Sequence, residues 1–233
     1  MKRLLMIMLT CFLGLTMSAC SNLEGDASND TKITEQQEIV NGETKKENNE
    51  NILVVYFTYG ENVGFPNDVD ASSSASIQLW NNEVTGNTGI IAHMIADSID
   101  ADTFSIRTVE EYPNSYNKTV DQGRKENEAN ARPKLATHIE NLDNYDTIFI
   151  GFPNWWYDMP MAIYSLLEEY DFSGKTIVPF STSGGSGFSD TIATIEELEP
   201  NSIILEGLTI GESSVNDAQQ DVNYWLKSLG YIK

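Results

Sequence analysis

Three short stretches hold residue types suited to ligand chemistry rather than to packing alone. In the first, Thr58-Tyr59 and Thr85-Gly86-Asn87-Thr88 are separated by residues 60–84, a stretch rich in Asn, Asp, Ser and Gly. With that insertion set aside, the chain reads as a strand end running through a hydroxyl- and glycine-rich turn into a helix. Backbone N–H groups at a helix start, joined by the hydroxyls of Thr58, Thr85 and Thr88, can cradle a phosphate. No lysine is required, because the helix dipole and several donors share the charge. A capped helix without a ligand is the plainer reading of the same residues.

The second stretch is Pro153-Asn154-Trp155-Trp156-Tyr157-Asp158-Met159-Pro160. Neighbouring loop residues face different ways, so three adjacent aromatics cannot all enter a core. At least one is free to lie against a flat ring, and the two prolines frame a rigid bend. Packing of both tryptophans under a sheet edge is the alternative. The third stretch is Ser181-Thr182-Ser183-Gly184-Gly185-Ser186-Gly187. Its glycines allow backbone to approach a ligand closely, and its N–H groups can donate to ring atoms. A flexible surface turn would look similar.

The elements that must position these stretches follow from hydrophobic patterning. Ile52-Leu53-Val54-Val55-Tyr56-Phe57, Thr147-Ile148-Phe149-Ile150-Gly151-Phe152 and Thr176-Ile177-Val178-Pro179-Phe180 are continuous runs typical of strands buried on both faces. Residues 102–107 and 202–208 are weaker strands. Ile91, Met94, Ile95 and Ile99 mark one helix, Met161, Tyr164 and Leu167 a second, and Val215, Ala218, Val222, Trp225, Leu226 and Leu229 the last. Residues 118–130 predict an exposed polar helix. This alternation gives an α/β fold, a doubly wound five-stranded parallel sheet of order 2-1-3-4-5 in three α/β/α layers. In that order a ligand sits beyond the carboxyl ends of strands 1 and 3, where the winding reverses. All three stretches fall near that place.

Thr58-Tyr59 with Thr85-Gly86-Asn87-Thr88, then Gly151-Phe152-Pro153-Asn154-Trp155-Trp156, Asp171-Phe172-Ser173-Gly174-Lys175-Thr176 and Ser183-Gly184-Gly185-Ser186-Gly187 resemble the flavodoxin-like FMN-binding family. The likeness is to a bacterial branch with an Asn-Trp-Trp loop and a long first loop, and it covers about residues 52–229. The resemblance implies FMN as cofactor, with its phosphate at Thr58 and Thr85–Thr88 and its isoalloxazine between the Trp155 loop and Gly184–Gly187. Glu110-Glu111-Tyr112-Pro113 and Tyr116 are similar to that branch as well. Family relatives are often NAD(P)H-dependent quinone or flavin reductases, so the resemblance implies electron transfer or quinone- or flavin-type reduction. A flavodoxin-fold module that binds without redox chemistry is the other reading.

The N-terminus adds an address. Lys2 and Arg3 precede an apolar run at residues 4–15, and Met17-Ser18-Ala19 places small residues before Cys20. Residues 1–19 resemble a lipoprotein signal peptide, with Cys20 acylated, although Met17 stands where leucine is usual. Residues 20–51 are polar and read as a flexible linker, leaving residues 52–233 as the FMN-binding domain. The expected location is the outer face of the cell membrane, held by lipid on Cys20. An exported domain meets little nicotinamide, so a quinone or a redox protein is the expected partner.

A formal charge of −21, from 35 acidic and 14 basic residues, disfavours nucleic acid. No Gly-x-Gly-x-x-Gly follows a strand, and Gly174-Lys175-Thr176 precedes a strand rather than a helix, so it reads as a turn. His93 and His138, the two histidines, fall on separate expected helices without ligand companions, so no metal is expected. No nucleophile, base and acid can be assembled into a catalytic set. Trp80, inside the insertion, either covers a ligand or packs the insertion onto the domain.

Overall fold

The computed structural model describes residues 51–64 and 77–233. The leader, Cys20, the linker and part of the insertion lie outside them. The central sheet is built from β1 (Ile52–Phe57), β4 (Asp102–Ile106), β5 (Thr147–Pro153), β6 (Thr176–Ser183), β7 (Ile203–Ile204) and β8 (Leu208–Gly211). All its pairings are parallel, in the order β4-β1-β5-β6, with β7 and β8 both on the outer side of β6. This is the expected 2-1-3-4-5 winding with one change: the fifth strand comes in two pieces. Residues 205–207 interrupt it, so the strand expected at 202–208 extends instead to Gly211.

Alternation along the central strands sends side chains to two cores. Leu53, Val55, Phe57, Ile148, Ile150 and Phe152 meet α3 (Met161–Glu169) and Ile195 of α4 (Thr191–Leu198) on one face. Val54, Tyr56, Phe149, Val178 and Phe180 meet α1 (Asn87–Ile99) and α5 (Gln219–Ser228) on the other. The helix α2 (Tyr116–Glu128) is largely polar, as expected, yet buries Thr119 and Gly123. A Cβ on Gly123 would lie 3.2 Å from the Trp155 ring, which is how α2 comes close to the second loop.

Two expectations need correction. The sequence reading names no helix between the fourth and fifth strands, yet α4 is there, its apolar signal reduced to Ile192, Ile195 and Leu198 over two turns. His138 lies outside any helix and pairs with Glu169 at 2.6 Å. The described part of the insertion is structured: residues 59–61 form a 3-10 turn, and β2 (Ile77–Trp80) pairs antiparallel with β3 (Glu83–Gly86). Asn81 and Asn82 turn this hairpin at φ of 49° and 69°, the left-handed conformation that asparagine tolerates. Trp80 stacks on His93 of α1 at 5.5 Å and 8°, so it packs the hairpin onto the domain.

Candidate functional site

The two described ends of the insertion lie against each other. A Cβ on Gly60 would fall 1.9 Å from the Thr85 carbonyl oxygen, so only glycine lets the 3-10 turn lie against the Thr85–Gly86 peptide. Thr58-Tyr59 and Thr85–Thr88 are thereby joined into one cradle at the carboxyl end of β1, facing the first turn of α1. Thr58, Tyr59, Thr85, Asn87 and Thr88 are all buried.

Their side chains divide the work unevenly. Thr85 Oγ1 donates to Glu61 Oε1 at 2.6 Å, which commits its proton. Thr88 Oγ1 is 2.8 Å from Thr182 Oγ1. Asn87 Oδ1 accepts from Gln78 Nε2 at 2.7 Å, tying β2 to the helix start. Tyr59 points the other way, donating from its hydroxyl to the Pro113 carbonyl at 2.6 Å. Thr58 Oγ1 has no hydrogen-bond partner. Of the three hydroxyls expected to hold a phosphate, Thr58's is the uncommitted one, and the remaining donors of the cradle are backbone N–H groups.

The Glu110–Pro113 segment and Asn62 were without a role in the sequence. Asn62 Nδ2 donates to the carbonyls of Thr58 and Ile106, both at 2.9 Å, while its Oδ1 accepts from Thr108 N at 2.9 Å. Tyr112 N in turn donates to the Asn62 carbonyl at 2.7 Å. One buried amide therefore clamps the ends of β1 and β4 to residues 108–112, and this segment braces the cradle through Tyr59.

The second loop is a tight hairpin. Trp155 and Asp158 exchange backbone hydrogen bonds of 2.8 and 3.0 Å, which leaves Trp156 and Tyr157 as the two turn residues at φ of 57° and 64°. A left-handed turn made of two aromatic residues is strained, since the conformation favours glycine or asparagine. Asp158 holds it closed: its carboxylate accepts from Met159 N at 2.7 Å, Tyr164 Oη at 3.0 Å and Asn127 Nδ2 at 3.0 Å. Burial and the Asp158 charge push the Tyr164 hydroxyl up to about 12. Trp155 is partly buried and packs against the core, edge-on to Phe57 and Tyr112 at 5.5 and 5.3 Å. Trp156 and Tyr157 are 46% and 75% exposed, so they present the most open aromatic faces of this loop.

Ser181, Thr182 and Ser183 belong to β6 itself, which runs three residues beyond its apolar stretch. The loop proper is residues 184–190. Ser183 Oγ accepts from Gly185 N at 3.3 Å and Gly187 N at 3.0 Å, so those two donors shape the loop instead of awaiting a ligand. Gly185 and Gly187 take φ of 126° and 59°, open only to glycine at low cost. Asn154 bridges the two loops: its N donates to the Thr182 carbonyl at 2.8 Å and its Nδ2 to the Gly187 carbonyl at 2.9 Å. A concavity of about 510 Å³ opens between Asn154, Trp156, Tyr157, Gly184, Gly185 and Ser186.

Two further buried atoms lack partners here, Asn154 Oδ1 and Ser181 Oγ. Buried polar atoms are nearly always paired, and an unpaired one costs about 1–3 kcal/mol. Together with Thr58 Oγ1 they stand near the carboxyl ends of β1, β5 and β6, on all three strands around the reversal of winding. The arrangement suits a ligand with an oxyanion at one end and a flat polar ring at the other.

Comparison with known proteins agrees with this geometry. In sequence, 83 residues are 34% identical to the flavodoxin of a Picosynechococcus species, covering 32% of this chain and 46% of that one. A longer match, 25% over 142 residues, is to the flavodoxin of Haemophilus influenzae, covering 57% of this chain and 67% of that one. The chain thus spans about half to two thirds of the length of these relatives. In structure, a protein described as a flavoprotein from Bacteroides uniformis superposes with a TM-score of 0.59 at 26% identity, covering 76% of this chain and 98% of the other. A flavoprotein of Lactobacillus acidophilus, solved in complex with FMN, superposes at 0.51 and 19% identity, covering 73% of this chain and 99% of that one, a likeness of fold. The flavodoxin family model matches residues 80–229, from the insertion's hairpin to the last helix, and the chain belongs to the flavodoxin family.

Proposed function

We propose that this flavodoxin binds FMN and passes electrons at a membrane surface. The observation that carries the reading is the trio of buried, unpartnered polar atoms, Thr58 Oγ1, Asn154 Oδ1 and Ser181 Oγ, on the three strands around the switch point. Bound FMN supplies the redox chemistry, accepting and releasing one or two electrons. The protein's part is to hold and orient it. The cradle of residues 58–60 and 85–88 takes the phosphate on backbone N–H groups at the start of α1, with Thr58 adding its hydroxyl. Trp156 and Tyr157 offer flat faces on one side of the ring, and Gly184–Ser186 line the other. Glu212 stands beside Gly184, 3.7 Å from where a Cβ would be, and its charge disfavours an anionic reduced ring.

The tether is part of the proposal. Lipid on Cys20 and the polar linker would hold the domain at the outer face of the cell membrane, where a quinone or a redox protein is the donor or acceptor in place of a nicotinamide. Among the described residues no helix is long and apolar enough to cross a membrane.

The test is a titration of the purified domain with FMN, followed by visible absorption and tryptophan fluorescence. Binding with quenching is expected, and the loaded protein should be reduced faster by a quinol or a membrane fraction than by NADPH. Absence of binding would leave the non-redox module as the better account. Faster reduction by NADPH would remove the membrane partner.

A further inference from the structure

The side chain of Glu61, which accepts the Thr85 hydroxyl of the cradle, is only 6% exposed. Its Oε1 accepts from Tyr56 Oη at 3.0 Å and from Thr85 Oγ1 at 2.6 Å. Its Oε2 accepts from Ser105 Oγ at 2.5 Å, and Arg107 Nη2 approaches to 3.4 Å. Three hydroxyls orient the carboxylate without neutralising it. Arg107 is the cation bonded to it, and at 53% exposure that guanidinium faces water, which weakens its compensation. The carboxylate stands against the first turn of α1: a Cβ on Gly89 would lie 3.3 Å from Glu61 Oε1 and 1.8 Å from Thr85 Oγ1.

We propose that Glu61 sets how strongly the site prefers a phosphorylated flavin over an unphosphorylated one. The inference rests on the flavin reading of the site. Its buried carboxylate acts on a phosphate in three ways. It accepts the Thr85 hydroxyl proton, removing one neutral donor. It occupies the favourable end of the α1 dipole, which a phosphate would otherwise have to itself. It places a fixed negative charge near the incoming one, in surroundings where water screens poorly. None of the three touches the ring, whose contacts come from residues 154–157 and 184–186. The selectivity for FMN over riboflavin should therefore be modest, and Glu61 should be the residue that limits it.

The experiment compares FMN with riboflavin on the purified domain, by flavin fluorescence at low ionic strength. Proteins are wild type, Glu61→Gln, Arg107→Met and, as a control, Glu197→Gln on the exposed side of α4. Glu61→Gln should tighten FMN about tenfold while moving riboflavin by less than about twofold. Arg107→Met should loosen FMN several-fold with riboflavin unchanged, and Glu197→Gln should alter neither. Riboflavin binding reports an intact ring site in each variant, so a misfolded Glu61→Gln is recognised and Arg107→Met decides. Equal changes for both flavins, or no change in either informative variant, would overturn the role of Glu61 and leave the flavin site standing. Failure of wild type to bind either flavin would overturn the reading of the site itself.

Discussion

Thr88 Oγ1 and Thr182 Oγ1, 94 positions apart in the chain, lie 2.8 Å from each other in a buried hydrogen bond. It joins the first turn of α1 to the end of β6, and so ties the cradle at the end of β1 to the strand that carries the glycine loop. Either hydroxyl alone would be stranded. Thr88→Val or Thr182→Val should each cost about 1–3 kcal/mol in urea denaturation. The double variant should cost clearly less than the sum, since it leaves no orphan. Strict additivity would show that the pair does not act as a unit.

The adjacent tryptophans should separate cleanly. Trp155 is partly buried between Phe57, Tyr112 and α2, so Trp155→Ala should lose about 2–3 kcal/mol of stability, less than a fully buried tryptophan would. Trp156→Ala removes a half-exposed ring and should cost less than about 1 kcal/mol, while weakening FMN. Denaturation and flavin titration on both variants give the contrast, and a large stability loss for Trp156→Ala would reverse their roles.

Tyr157 pits stability against binding. At φ of 64° a tyrosine is held where glycine is at ease, so Tyr157→Gly should stabilise the domain by about 1 kcal/mol. The same change removes an aromatic face from the concavity, and FMN affinity should fall. Calorimetry paired with titration tests the opposite signs; movement of both in the same direction would exclude the trade.

Glu199, buried at the end of α4, carries a pH dependence. Burial first, and the charge of Asp171 second, push its carboxyl from the usual 4.5 up to about 7. The folded state therefore holds a proton that the unfolded chain releases. The stability this provides is complete below about pH 4.5 and is lost as pH rises through about 7. Glu199→Gln should match wild type at pH 4 and be roughly 2–3 kcal/mol more stable at pH 8. A constant difference between the two across that range would point to a cause other than ionisation.

Much of the fold was legible because its cues are local. The runs at Ile52–Phe57, Thr147–Pro153 and Thr176–Ser183 are apolar enough to require burial on both faces, and the helix marked by Ile91, Met94 and Ile95 has one continuous apolar side. Where the signal was short, it failed. The helix α4 offers only Ile192, Ile195 and Leu198, and the fifth strand is broken at residues 205–207, so each is set by what it packs against. His138, expected on a helix, lies outside one and pairs at the surface with Glu169, 31 residues on.

By itself the sequence determined the kind of site: glycine, hydroxyl and aromatic residues arriving at strand ends around one reversal of winding. Composition and spacing suffice for that, because strand burial and turn chemistry are properties of adjacent residues. Which polar atom of each residue is engaged within the protein and which is left unpaired was decided only by the tertiary structure. Glu61 takes the Thr85 hydroxyl, Ser183 takes two glycine N–H groups, and Trp155 packs edge-on against Phe57. Each depends on a partner brought near by folding, and a hydrogen bond or a ring contact acts over only a few ångströms. Thr58, Asn154 and Ser181 remain with unmet polar atoms, a fact that no spacing in the chain could have announced.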